Sequence, residues 1–82
     1  MDVSEGTRNL ENLPTRLRKT RWRSGLTQQE LAARTGLSAR TIGDIERGTV
    51  TRPRASTLML LSEALSMSPA QTEELLLSAR EG

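Results

Sequence analysis

Apolar residues return every three or four positions along most of this 82-residue chain, which is the spacing of amphipathic helices. The first helix is predicted to begin at Leu13 and Pro14, because proline fits the first turn of a helix, and to stop at Gly25. Further helices are predicted over residues 28–35, 39–47, about 55–65, and from 69 onward. The pattern therefore predicts an all-α chain of five helices.

The second and third predicted helices are sharply delimited by residues that cap helix ends. Thr27 and Glu30 have the spacing of a capping box, in which the two residues satisfy each other's backbone N–H groups. Gly36 suits a left-handed turn after the second helix, Ser38 is a favourable N-cap for the third, and Gly48 closes it. Two short helices joined in this way match the geometry of a helix-turn-helix.

The inner faces of the predicted helices supply one modest core, as expected for a single domain of this length. The first helix is only partly apolar, because Arg21 falls on the same stripe as Leu13 and Leu17 and needs a partner there. The fifth helix has a clear start at Ser68 and Pro69, with Gln71 completing a capping box. Between the first and fifth helices, the apolar positions expected to face inward are Leu26, Leu31, Ala32, Leu37, Ile42, Ile45, Leu58, Leu61, Ala64 and Leu65.

Composition narrows the possible functions. The chain contains neither Cys nor His, so disulfides, thiolate chemistry and the usual zinc sites are excluded. Catalysis is not expected, because the remaining carboxylates and hydroxyls do not cluster, and no cofactor is expected. No apolar run approaches the roughly 18 residues of a membrane span and no signal peptide is evident, so a cytoplasmic location is expected.

Charge is distributed unevenly along the chain. Residues 14–54 contain ten Lys or Arg against three acidic residues, whereas residues 1–13 and 55–82 are net acidic. A basic middle between acidic ends indicates that one part of the surface meets a polyanion.

Three short motifs in register resemble the phage-repressor-like helix-turn-helix family, also called Cro/repressor or XRE. They read T-Q-x-E-L-A from Thr27, G-L-S-x-x-T-I from Gly36, and I-E-R-G from Ile45, and the resemblance extends over roughly Leu17 to Leu77. It implies a compact five-helix, lambda-repressor-like domain over residues 12–82, and residues 1–11 are expected to form a flexible arm. Many members of the family end the fourth helix with Gly, where this chain has Ser66.

The resemblance also implies a function, which is sequence-specific binding of double-stranded DNA by a bacterial transcriptional regulator. The third helix would enter the major groove, with its N-terminal residues facing base edges. By the outward positions of that helix, the candidate base-reading residues are Ala39, Arg40, Gly43 and Asp44. Gln28 matches the family's phosphate-anchoring glutamine, and the other phosphate candidates are Thr27, Ser38, Thr41, Arg47, Arg52 and Arg54. The resemblance further implies a structural ion pair between Arg21 and Glu46.

Individual roles within this set stay open. Arg40 is expected to bind guanine through O6 and N7, and Ala39 to contact a thymine methyl group. Asp44 either accepts from cytosine N4 or holds Arg40 or Arg47 in place. Gly43 either permits close approach of another backbone or is a neutral surface position, and Arg21 has a phosphate contact as its alternative role.

Other functions are also compatible with the fold. A protein-binding adaptor or antitoxin-like partner would use Trp22 or the leucines at 75–77. Trp22 also fits a purely structural position, in which its ring lies over the rim of the core and Arg18 stacks on it. Single-stranded nucleic acid binding is less favoured, since Trp22 is the chain's only aromatic residue. Because three consecutive leucines cannot all face one core, Leu76 or Leu77 should be exposed, and a weak homodimer, formed or strengthened on DNA, is expected through this helix.

Overall fold

Five helices and no strand make up the part of the chain that the computed structural model describes, residues 12–50 and 52–81. In chain order they are α1 (Leu13–Arg23), α2 (Gln28–Thr35), α3 (Ala39–Arg47), α4 (Ala55–Ala64) and α5 (Pro69–Glu81). The predicted all-α, five-helix class is confirmed, and the bounds of α2 and α3 agree with the sequence prediction. The arm expected over residues 1–11 lies outside the described residues. No described helix has the length and apolar character needed to cross a membrane.

The helix ends show why these segments stop and start where they do. Thr27 accepts from the N–H of Glu30, whose carboxylate accepts from the N–H of Thr27, so the predicted capping box is present. Ser38 caps α3 by accepting from the N–H of Thr41. Gly36 and Gly48 follow α2 and α3 with left-handed φ values of +81° each. These local interactions end α2 before α3 begins, so the two segments form separate helices.

The core lies where the five helices meet, and α3 rests on both α1 and α2. α4 packs against α2 and α5, and α5 returns to contact α1, which closes the bundle. The buried apolar side chains come from every helix and are Leu13, Leu17, Leu31, Ile42, Ile45, Leu58, Leu61, Leu65, Leu75 and Ala79. The four predicted core positions Leu26, Ala32, Leu37 and Ala64 pack against this cluster but are only partly buried.

The turn between α4 and α5 contains a backbone conformation that suits glycine better than serine. Ser66 has φ +54°, which places it in the left-handed region. The N–H of Met67 nevertheless donates to the carbonyl of Ser62 at 3.0 Å, so the turn closes as it would with glycine. The residue after it, Ser68, forms the predicted capping box with Gln71. Helix α4 therefore ends as the family pattern implies, with a less favourable residue.

The three consecutive leucines of α5 divide between core and surface. Leu75 is fully buried, Leu76 packs partly against the core, and Leu77 is 43% exposed. This is the division expected from helical geometry. It leaves Leu77 as a large apolar side chain of α5 that faces away from the bundle.

Candidate nucleic-acid interface

A buried ion pair fixes the carboxyl end of α3 to α1. Nε and Nη2 of Arg21 donate to the two carboxylate oxygens of Glu46 at 2.6 and 2.8 Å. Nη1 of Arg21 donates to the carbonyl of Leu26 at 2.9 Å, which ties the loop before α2 to the same guanidinium. The two charged side chains are only 10% and 3% exposed. The planar fork of Arg matches a carboxylate in two places, so the contact sets the angle of α3 as well as its distance.

The pair also shifts the ionisation of both partners. Burial by itself would raise the pKa of Glu46, but hydrogen bonds from Arg21 and Gln28, together with the positive charges of Arg21 and Arg18, outweigh it and hold this pKa below its ordinary value. The hydrogen bond to Glu46 raises the pKa of Arg21, against the opposing effect of burial. Both groups are therefore charged at neutral pH.

Gln28, the expected phosphate anchor, is the first residue of α2 and is held by this same ion pair. Its Nε2 donates to Oε1 of Glu46 at 3.1 Å. A side-chain amide carries two hydrogens, so one of them is not used by this bond. Sequence reasoning missed this bond, because the contact depends on the crossing of α2 and α3. The signal available in advance was a glutamine at the start of α2 and a glutamate already assigned to Arg21 as its partner.

The hydroxyl groups at the amino ends of α2 and α3 are partly engaged in capping. Thr27 accepts from the N–H of Glu30, while Ser38 both accepts from the N–H of Thr41 and donates to its hydroxyl at 2.9 Å. Because Ser38 gives its proton to Thr41, the proton of Thr41 remains available to an outside acceptor. Of these three hydroxyls, Ser38 has used its proton, whereas those of Thr27 and Thr41 are both available to an outside acceptor.

Two arginines and one aspartate line the exposed face of α3. The side chain of Arg40 is 89% exposed, that of Arg47 is 61% exposed, and Asp44 between them is 28% exposed. Arg47 donates to Asp44, and Nε of Arg40 lies 4.0 Å from the other carboxylate oxygen. Asp44 is therefore bonded to Arg47 and lies near Arg40, and both of its alternative roles toward DNA stay predictions. Ala39, at the start of the helix, is half-buried.

The structure differs from the sequence expectation at Gly43, which was predicted to face outward. Gly43 is buried, because the side chains of Arg47 and Gln28 lie over it. A Cβ built on it would stand 3.0 Å from Nη1 of Arg47 and 3.3 Å from Oε1 of Gln28. Residue 43 does lie on the outer side of α3, as the helical period predicts. It is covered because long polar side chains lie across it, and a periodic pattern does not reveal where such side chains rest.

The loop before α4 carries two further basic residues. Arg52 and Arg54 are exposed, and Arg54 occupies the N-cap position of α4 without a side-chain capping bond. Pro14 of α1 lies close to Gly48, where a Cβ would stand 3.6 Å from its Cγ. The loop that leaves Gly48 therefore starts beside the amino end of α1.

Trp22 stands apart from the core at the end of α1. Its side chain is among the most exposed of the large apolar residues, at 62%, and the guanidinium of Arg18 lies 5.5 Å from the centre of its ring. The stacking predicted for Arg18 is confirmed. A shallow cleft of about 540 Å³ separates the ring from the start of α2 and is lined by Arg21, Gly25, Leu26, Thr27, Gln28 and Gln29 as well as Trp22.

The chain matches a known protein family. A family model described as helix-turn-helix, of the Cro/C1 type, matches residues 16–71, which is more than half of the chain. The matched range spans α2 and α3 together with most of α1 and all of α4. Searches among curated proteins and among solved structures gave no match.

Proposed function

Because the chain belongs to the Cro/C1-type helix-turn-helix family and is therefore a DNA-binding, repressor-like protein, we propose that it regulates transcription in a bacterium by recognising specific duplex sequences. In this proposal α3 lies in the major groove and α2 crosses the sugar–phosphate backbone. A helix fits the major groove, where each base pair presents a distinct pattern of donors and acceptors.

The observation that carries the proposal is the contrast between the two ends of α3. Its carboxyl end is immobilised through Glu46, whereas Arg40 near its amino end is 89% exposed. A readout residue has to reach into solvent from a support that does not move, because specificity depends on fixed geometry. Arg40 satisfies both conditions.

Base reading is assigned to the amino half of α3. Arg40 donates to O6 and N7 of a guanine, the commonest specific arginine contact in the major groove. Asp44 keeps Arg40 and Arg47 apart and oriented, which its position between the two guanidinium groups supports. Ala39 contacts a thymine methyl group, and Gly43 contributes space rather than a donor.

Backbone contacts are assigned to the groups around this face. Gln28 uses its second amide hydrogen together with the N–H groups at the start of α2, and Thr41 uses its hydroxyl proton. Thr27 and Ser38 act mainly through their caps, which hold those N–H groups in place. The arginines that complete the phosphate-binding set are Arg47, Arg52 and Arg54.

Two copies are proposed to act together on a palindromic site. A helix-turn-helix monomer covers a single half-site, and specific affinity usually comes from two copies about one helical turn apart. Leu77 is an exposed apolar residue of α5, but one leucine buries far less than the roughly 1,200–2,000 Å² of a stable interface. The proposed species in solution is therefore a monomer or weak dimer that pairs on DNA.

The test is a mobility-shift assay against pools of duplex DNA, single-stranded DNA and RNA. The expected result is binding to the duplex pool that falls steeply with salt, since phosphate contacts release counterions. Arg40→Ala should lose preference among duplex sequences. The matched control is Arg34→Ala, which removes an exposed arginine that lies beside Glu63 of α4 rather than on α3. Equal binding to all three pools would overturn the proposal.

A protein-binding adaptor is the second candidate, favoured by the 62% exposure of Trp22. An exposed tryptophan is an effective anchor at protein interfaces. An adaptor would tolerate loss of Arg40 and Gln28, whereas a DNA-binding regulator would not. The same assay therefore separates the two functions.

A further inference from the structure

Gly43 lies on the face of α3 assigned to DNA and yet is buried. The atoms that cover it belong to Arg47, one turn further along α3, and to Gln28, at the start of α2. Its φ is not in the left-handed region, so the helical backbone gives no conformational reason for glycine. Glycine is also unfavourable in a helix interior. Glycine is therefore explained by its lack of a side chain, which leaves room for neighbouring atoms.

The space is used by Arg47, whose side chain folds back along α3. Nη1 of Arg47 would stand 3.0 Å from a Cβ at residue 43, closer than real Cβ atoms normally allow. Nη2 of the same guanidinium donates to Asp44, which holds the group in this position. The positive charge is thereby brought back from the last residue of α3 toward the amino end of α2.

Gln28 approaches the same point from the other helix. Its Oε1 would stand 3.3 Å from the Cβ, and its Nε2 is anchored by Glu46. Two side chains from different helices, each held by a carboxylate of α3, therefore converge over one missing methyl group. The Gln28 atom at this point is its amide oxygen, which faces the guanidinium of Arg47, and the unused N–H groups of that guanidinium are the donors offered to an anion.

We propose that Gly43 is a positioning residue that seats the guanidinium of Arg47 against Gln28, where Arg47 acts as a phosphate clamp at the amino end of α2. The inference rests on the proposed DNA binding and deepens it, because it assigns Gly43 a role other than reading a base. A hydrogen bond from a guanidinium to a phosphate is charge-assisted and therefore roughly twice as strong as a neutral one. A side chain at residue 43 displaces the guanidinium from this position.

The fold should survive a small side chain at this position. The atoms that a Cβ would meet are the ends of flexible side chains rather than backbone. Gly43→Ala should therefore displace Arg47 and at the same time favour the helix, since alanine is the better helix former. We expect a higher melting temperature together with weaker DNA binding, two effects of opposite sign from one methyl group.

The test is a double-mutant cycle of Gly43→Ala with Arg47→Ala, read as duplex affinity across a salt series. Gly43→Ala should weaken binding by about tenfold in the wild-type background and have almost no effect once Arg47 is absent. Each single variant should also lower the slope of affinity against salt concentration, because a phosphate contact is lost. Arg34→Ala serves as the charge-matched control.

A second measurement needs no DNA. Nuclear Overhauser effects between the α-protons of Gly43 and the side chain of Arg47 are expected in the free protein and should vanish in Arg47→Ala. If these effects are absent from the wild-type protein, Arg47 does not lie over Gly43 and the proposal is overturned.

The possible outcomes separate this inference from the function on which it rests. Equal losses from Gly43→Ala in both backgrounds would show direct contact with DNA, and no loss in either would show a neutral position; each overturns the clamp alone. A wild-type protein that binds no duplex overturns the proposed function and the clamp together.

Discussion

Arg21 of α1 donates to both carboxylate oxygens of Glu46 in α3, and this one contact joins the helix at the back of the domain to the helix proposed to read DNA. Gln28 of α2 donates to the same carboxylate. Three helices therefore share one buried anion. The relative positions of α1, α2 and α3 depend on its charge and its geometry.

Loss of either partner should destabilise the fold strongly. Arg21→Met leaves the carboxylate of Glu46 buried beside Gln28 alone, and Glu46→Gln leaves the Arg21 guanidinium without a counter-charge. Removing one partner of a buried pair costs about 3–5 kcal/mol, whereas a surface pair is worth under about 1 kcal/mol. Urea unfolding of the single and double variants should give a coupling energy above about 1 kcal/mol.

The salt bridge between α1 and α5 supplies the control. Arg16 donates to Glu74 at 3.1 Å, but Glu74 is 53% exposed. Glu74→Gln should therefore change the free energy of unfolding far less than Glu46→Gln. A coupling near zero between Arg21 and Glu46 would show that their contact does not stabilise the domain.

The stability of the domain should depend on pH through Glu46. The pKa of this carboxyl is lower in the folded protein than in the unfolded chain, so the unfolded chain binds its proton first as the pH falls. The stabilisation is fully present above the ordinary glutamate pKa of about 4.3 and is lost as the pH falls through the folded pKa. The excess stability of the wild type over Glu46→Gln should therefore shrink as the pH falls from about 4.3 towards the lower pKa of the folded protein. Urea midpoints measured across this range check it, and a pH-independent difference would contradict the assignment.

Most of the fold follows from local signals in the sequence. The capping box at Thr27 and Glu30, the N-cap at Ser38, and the glycines after α2 and α3 each act within one turn of helix, so their bounds can be read without tertiary structure. Core positions are also accessible, because helical spacing alone separates inward from outward residues.

At the end of α4, one substitution is expected to stabilise the domain, whereas most substitutions destabilise a protein. Ser66 adopts a left-handed φ of +54°, which is costly for a residue with a Cβ. Ser66→Gly should stabilise the domain by about 1 kcal/mol. Ala33→Gly, at an exposed position within α2, should destabilise it by about the same amount. Thermal or urea unfolding of both variants checks the pair, and a destabilised Ser66→Gly would contradict the strain argument.

The parts of the site that sequence did not predict depend on where long polar side chains rest. Periodicity assigns Gly43 to the outer face, yet Arg47 and Gln28 cover it. The bond from Gln28 to Glu46 joins residues 18 positions apart on different helices, and no local rule specifies it. Such contacts are chosen by the crossing of α2 and α3, which only the three-dimensional arrangement determines.

Assembly on DNA should depend on Leu77. Sedimentation of the free protein at micromolar concentration is expected to show mainly monomer, because the exposed apolar area on α5 is small. Binding to a duplex with two half-sites should be cooperative, and Leu77→Glu should remove the cooperativity without weakening binding to one half-site. Met59→Glu, which alters a similarly exposed apolar residue of α4, is the control. A tight dimer without DNA, or independent binding to each half-site, would contradict the scheme.

Gln28 and Arg40 should differ in what they contribute to binding. Gln28→Ala is expected to weaken binding to all duplex sequences by a similar factor, because phosphates carry no sequence information. It should also lower stability slightly, since Glu46 loses one donor. Quantitative mobility shifts on matched and mismatched duplexes measure this, and a change confined to one base pair would assign Gln28 to base reading instead.

The central claim, that α3 reads duplex DNA through Arg40, is tested most directly by selecting bound sequences from a random duplex pool with the wild type and with Arg40→Ala. The wild type should return a two-fold symmetric sequence with a preferred guanine in each half. Arg40→Ala should lose about 1–3 kcal/mol of discrimination at that base pair and keep the remaining preferences. An unchanged sequence preference in Arg40→Ala, or no preference in the wild type, would contradict the account.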